Sequence, residues 1–331
     1  MILEVTLERS RQFANMSFVS ALLIVALHSL SADNAGMAAR FAFGFLSGGL
    51  CSLAIPWFFL AAGFFLAGHV DELCWWPDAI KKRVRTLMVP FWLWSLIIYT
   101  FHIVIALLIH LTGYVYRGED ALSWLSISGL VKLVGVTPAG EMPTMWFMRT
   151  LFVFVLMSPL LVRRPLLTIL LGVGFLWSTI YPPSNELLSS VATNFLSLRG
   201  LFYFSVGLLW RCGYIHLKVS HWLTGTVFLA LVLVRQVCIE QQLSNEYVRA
   251  LDVILVPWGL HAMFCVSRFL TIPHNLSTLA FPLYVTHMMV VYIVTALYAV
   301  VGVGGRAILR LAKGFFGLRL QWLVPLECVW C

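Results

Sequence analysis

Few residues of this chain can do acid–base or anion chemistry, and each stands in apolar surroundings. His28 lies in the run LLIVALHSL. An ionisable group inside a membrane-length run is costly and turns toward the bundle interior. A neutral imidazole there can act as a general base, because its pKa lies near operating pH. It can also simply close a helix contact through hydrogen bonds. Lys81, Lys82, Arg83 and Arg85 fall within five residues. On a helix, Lys82 and Arg85 are an i,i+3 pair and Lys81 and Arg85 an i,i+4 pair, so their heads point the same way. Arginine forks suit phosphate oxygens, so the spacing makes an anion clamp. Trp75 and Trp76 just before it, in a short loop, read as interfacial anchors or as a stacking surface for a flat ligand.

Trp146 and Arg149 open another apolar run, as Arg199 opens a later one. Each Arg can snorkel to the surface, and Trp146 and Arg149 can equally face a polar ligand. Arg235 and Asp252 stand near the ends of successive apolar runs, where they could pair. His287, in PLYVTHMM, is either a ligand-facing group or the donor of a structural hydrogen bond, and falls early in the last apolar run. Nucleotide-binding Gly-rich loops, His-Glu-x-x-His and Gly-x-Ser-x-Gly are all missing from the sequence.

The elements that must position these groups are membrane spans. The chain has 331 residues, 61% hydrophobic and 11% charged, against roughly 25% charged in soluble domains. Mean hydropathy is +0.92. These values predict an all-α polytopic membrane protein, a bundle of 9–10 transmembrane helices. Runs near the roughly 20 residues a span needs fall at about Met16–Leu30, Phe41–Gly68, Met88–Leu111, Trp146–Val162, Leu166–Tyr181, Phe195–Trp210, Trp222–Ile239, Val253–Phe269 and Leu279–Val301. The second is longer than a span requires and contains Pro56, so a kink or a preceding interfacial turn is expected. The thirteen Trp residues suit interfacial belts.

Basic residues alternate by loop. The N-terminus and the loops after even-numbered spans carry Arg9, Arg11, Lys81, Lys82, Arg83, Arg85, Arg163, Arg164, Arg211, Lys218 and Arg268. The positive-inside rule then places the N-terminus and the clamp in the cytoplasm of a cell membrane. The net charge of +8 reads as orientation signal and lipid contact, not nucleic-acid affinity. Seven scattered cysteines imply no disulfide framework, and Cys328-x-x-Cys331 has no second pair for zinc. Residues 1–301 read as one membrane domain. Residues 302–331, with Arg306, Arg310, Lys313 and Arg319, are either a basic amphipathic helix or the remnant of a tenth span.

Taken in order, these landmarks resemble the membrane-bound acyltransferase family 3. The pieces are LLIVALHSL, IPWFFLAAGFFLAG, KKRVRTLMVPFWLW, MWFMRTLFVFVLMSPLL, FYFSVGLLW and FPLYVTHMM, spread over residues 12–295. Three positions depart from the pattern: Ser17 stands where the family places a cation, Ala62 where it has Ser, and Thr86 where it has the second Arg of Arg-x-x-Arg. The resemblance implies an O-acyltransferase that moves an acyl group, in the first place acetyl, from acyl-CoA to a hydroxyl of a carbohydrate or cell-envelope glycan. It implies His28 as the catalytic residue and Lys82, Arg83 and Arg85 as donor-binding residues. Trp146, Arg149 and His287 become acceptor-side or structural polar groups. No metal and no cofactor beyond acyl-CoA as co-substrate is expected. Two other functions fit the same composition: a transporter or flippase for a sugar or small solute, and an inactive diverged family member.

Overall fold

The structure is a computed structural model that describes residues 6–29, 37–70, 75–97, 99–100, 146–181, 197–215, 219–287 and 290. Among the described residues all regular structure is helical. The helices are α1 (Leu7–Ser29), α2 (Met37–Gly44), α3 (Ala54–Ala67), α4 (Trp75–Arg83), α5 (89–97), α6 (Trp146–Arg163), α7 (Pro165–Ile180), α8 (Leu198–Arg211), α9 (His221–Glu240), α10 (Asn245–Val266), α11 (His274–Ser277) and α12 (280–287). Five of the described helical segments are long and apolar enough to cross a membrane: 7–29, 41–67, 146–163, 221–240 and 245–269. Large apolar side chains are exposed on these segments and on the shorter apolar helix α7, among them Leu233 and Val237 on α9 and Leu170, Val173 and Trp177 on α7. A lipid phase accepts such a surface, and intra-helix hydrogen bonding satisfies the backbone inside it. Half of the expected third span, the interval after it, much of the ninth span and the whole C-terminal tail lie outside the described residues.

The core is the pairing of α3 with α8. Gly63 meets Phe204 O and Gly207 meets Leu60 O so closely that an added Cβ would collide with backbone in either case. Small residues at a membrane helix crossing let the backbones approach, so that van der Waals packing replaces the hydrophobic drive lost in lipid. Around this seam lie Phe59, Phe64, Phe154, Phe204 and Tyr203, all buried. Helix α1 packs on α3, α10 and α11, and α6 packs on α4 and α8.

The excess length of the second span is absorbed as the sequence suggests, and just ahead of Pro56. Residues Phe45–Leu50 form a π-helical turn and Cys51–Leu53 a 3₁₀ turn before α3 begins. The end of α2 and the π turn present Gly44, Gly48 and Gly49 to α9, where Gln236, Arg235 and Val232 fill the space that Cβ atoms would need. Arg235 is buried there and forms an ion pair with Asp252 at 2.5 Å, tying α9 to α10.

Two proline sites explain where unexpected donors go. Pro56 has no N–H to give to the carbonyl four residues earlier, Ser52 O. Arg199 Nη2 donates to that carbonyl at 3.3 Å. Pro159 likewise frees Val155 O, which accepts from Trp76 Nε1 at 3.3 Å and from Ser158 Oγ at 2.7 Å. Arg199 therefore turns into the bundle instead of only snorkelling, because a freed carbonyl in an apolar layer is a better partner than distant water.

Gly63→Val and Gly207→Val force α3 and α8 apart. Each is expected to destabilise by about 1–3 kcal/mol or more, read as a lowered thermal midpoint in detergent, whereas Gly174→Ala, which meets open space, leaves the midpoint nearly unchanged.

Candidate active site

Helix α1 is longer than the apolar run alone suggests. It starts at Leu7, nine residues before Met16, because the polar first turns carrying Arg9 and Arg11 are also helical. Asn15 is buried on it and donates from Nδ2 to Leu270 O at 2.9 Å. That bond pins α1 to the segment leading into α11. His28 stands thirteen residues beyond Asn15, and His287 thirteen beyond His274 at the start of α11. At about 1.5 Å per residue, the stretch of α1 from Asn15 to His28 climbs roughly 20 Å. The two imidazoles meet with ring centroids 5.3 Å apart and planes inclined at 35°. The early position of His287 in its run is thus deep in the bundle, level with His28.

The proton on His287 can be placed by its partner. Its Nδ1 lies 2.6 Å from Tyr284 O. A carbonyl only accepts, so Nδ1 carries the hydrogen and Nε2 is left as a lone pair. His287 is buried, and Nε2 is sealed from solvent with no hydrogen-bond partner among the described residues. One edge of the ring thus makes a structural hydrogen bond, and the opposite nitrogen makes none.

The floor beside this pair is aromatic. Tyr284 lies 6.0 Å from His287 and 5.6 Å from Phe147, and Phe147 lies 4.7 Å from Phe59. Trp146, the first residue of α6, is partly buried 6.3 Å from Phe59. Trp146 therefore belongs to the layer that carries the His pair. Arg149 follows one turn later, half-buried, with Nε shielded from solvent.

The basic residues form a separate site. The Trp75–Trp76 stretch is helical, not a loop: α4 runs through both tryptophans, and a π turn at Val84–Met88 continues it into α5. Asp78, Lys81, Lys82, Arg85 and Thr86 line an open pocket of about 250 Å³. Arg83 is not among them. Residues 81, 82, 85 and 86 share one face at the helical period, and Arg83 falls on another. It is half-buried, and burial pushes its guanidinium's pKa down. Lys81 takes its expected place beside Lys82 and Arg85. Trp76 is more than an interfacial anchor, since its bond to Val155 O fastens the clamp helix to α6.

At Ser17, where the resemblance expects a cation, the hydroxyl donates to Phe13 O at 2.9 Å and accepts from Trp57 Nε1 at 3.3 Å. One turn earlier, Phe13 stacks on Phe64 at 4.6 Å, and the guanidinium of Arg211 lies 5.3 Å from the Phe64 ring centre. Arg211, read from sequence only as a topological charge, thus supplies a cation beside the aromatic cluster next to Ser17. Among the described residues no group of His, Cys, Asp and Glu is arranged to hold a metal. The Cys328–Cys331 pair lies outside the described residues.

The described residues form a helical membrane bundle with two neighbouring imidazoles between its helices and a basic pocket on a separate helix. The family model of an acyltransferase domain, acyltransferase family 3, matches residues 16–323. The chain belongs to this family and is a membrane O-acyltransferase. The matched region continues past residue 301 into the basic C-terminal segment. No curated protein and no solved structure matches the chain.

Trp76→Phe keeps the ring and removes the inter-helix N–H to Val155 O, which keeps only the local Ser158 hydroxyl. It is expected to destabilise by about 0.5–1.5 kcal/mol and to raise protease sensitivity in α4, read by limited proteolysis in detergent. The double variant with Pro159→Ala, which restores an N–H four residues on from Val155, recovers most of the loss.

Proposed function

We propose that the protein transfers an acyl group, acetyl in the first instance, from cytoplasmic acyl-CoA to a hydroxyl of a carbohydrate or cell-envelope glycan, with its N-terminus in the cytoplasm of the cell membrane. The donor's phosphates rest on Lys81, Lys82 and Arg85, whose heads line one open pocket. Its pantetheine arm extends into the bundle. His28 lies roughly 20 Å above the Asn15 level, a depth that suits a long flexible donor. The acceptor approaches the aromatic floor of Trp146, Phe147 and Tyr284, with Arg149 one turn away.

His28 takes the proton of the acceptor hydroxyl as its oxygen attacks the thioester carbon. The C–S bond breaks, and the proton passes from His28 to the thiolate, giving the ester and free CoA. The observation that carries this reading is the meeting of His28 and His287 in the interior of a chain whose family is that of acyltransferases. Facing imidazoles are a costly way to fill an apolar layer, and a positioned imidazole contributes typically 10²–10⁴-fold to proton transfer.

Purified protein in nanodiscs, given radiolabelled acetyl-CoA and surface glycan, tests this. His28→Ala is expected to lower transfer by at least about 10²-fold while insertion and thermal midpoint stay intact. Full activity in that variant removes His28 from the mechanism. Lys82→Gln and Arg85→Gln are each expected to raise the donor KM roughly tenfold or more, as loss of a charge-assisted bond does. An unchanged KM in the double variant leaves the basic helix a topological signal only.

A further inference from the structure

We propose that His287 is a positioning residue for His28, an inference that rests on the His28 reading above. The bond from Nδ1–H to Tyr284 O, at 2.6 Å, commits the His287 ring to one tautomer. Its Nε2 then offers a lone pair and nothing else. That nitrogen is buried and unpartnered among the described residues, a costly state for a polar atom in an apolar layer. The neighbouring ring is His28, 5.3 Å away between centroids. This is about the separation that two imidazoles need for an in-line N–H···N bond of roughly 3 Å. The rings are not hydrogen-bonded as they stand, and the pairing we propose requires the His28 ring to turn about its side-chain bonds.

The consequence is chemical. Because Nε2 of His287 can only accept, His28 must present an N–H to it. His28 then keeps its own lone pair on the opposite nitrogen, which faces the acceptor. Tyr284 O, His287 and His28 form one chain of donors and acceptors with a single allowed polarity. When His28 takes the hydroxyl proton, the resulting imidazolium donates to His287, which spreads the positive charge over two rings inside a medium that penalises a lone ion. The proton leaves His28 for the thiolate sulfur, and both rings return to neutral. His287 neither gains nor loses a proton in the cycle and touches no reacting atom.

Three substitutions at one site test this. Gln places an amide oxygen near the position of Nε2, Asn places it near Nδ1, and Leu places none. Transfer kinetics of native protein, His287→Gln, His287→Asn and His287→Leu are measured in nanodiscs with saturating glycan. The expected result is kcat within about tenfold of native for Gln and down on the order of 10²-fold for Asn and Leu, with the donor KM unchanged throughout. A merely structural role would not separate Gln from Asn in kcat alone. Native kcat in Asn and Leu overturns the proposal, as does Gln as inactive as Asn. Should Leu fail to insert, the Gln–Asn comparison decides by itself. His28→Ala, run alongside, separates the two readings. If it is inactive while Asn and Leu are native, His28 stands and the pairing falls; if it is fully active, both fall.

Discussion

The structure depends on one constraint: in an apolar layer, every backbone carbonyl that loses its helical donor must find another. Pro56 and Pro159 each free one. Arg199 reaches from the start of α8 to Ser52 O, and Trp76 reaches from α4 to Val155 O. These bonds join helices that are far apart in sequence. The first fixes the start of α8 against the irregular turns that precede α3. The second holds the basic helix against α6, so the placing of the clamp follows from a proline in a neighbouring span. The π turn at Phe45–Leu50 belongs to the same pattern, since its glycines leave room for Arg235 and Val232 of α9.

Two polar contacts tie helices together within the bundle. Arg235 is neutralised by Asp252, and Asn15 anchors α1 to Leu270 O. The Asn15 bond sets the height of α1 relative to α11, and that height brings His28 level with His287. A shift of α1 by one turn would move His28 about 5 Å along the axis and separate the rings. The meeting of the two histidines is therefore a consequence of helix register as much as of the two residues themselves. The seam of α3 and α8, closed through Gly63 and Gly207, supplies the rigid wall against which that register is kept. Phe59 and Phe147 carry the wall to the aromatic floor of the site.

The basic helix and the histidine pair are built differently because they face different media. Lys81 and Lys82 on α4 and Arg85 on the π turn after it remain exposed on one face, where an anion can reach them. Arg83, one residue from Lys82, turns to another face and is half-buried. A run of like charges is thus divided by the helical period into a pocket and a packing residue, a division that only the rotation of the helix decides.

Hydropathy and charge are local properties, and what depends on them was legible without a structure. The helical membrane class, the extent of the second span with its irregular start before Pro56, the i,i+4 alignment of Lys81 and Arg85, and the family likeness all follow from residues near each other in sequence. The pairing of Arg235 with Asp252 was within reach because the two lie close together at the turn between α9 and α10. The start of α1 at Leu7 was harder to read, because its polar first turns do not count as span. Contacts between distant segments were decided only by tertiary packing: His28 with His287, Arg199 with the carbonyl that Pro56 frees, Trp76 with the one that Pro159 frees. Each depends on the rotation and vertical offset of two helices, and a one-dimensional pattern of apolar residues leaves both free.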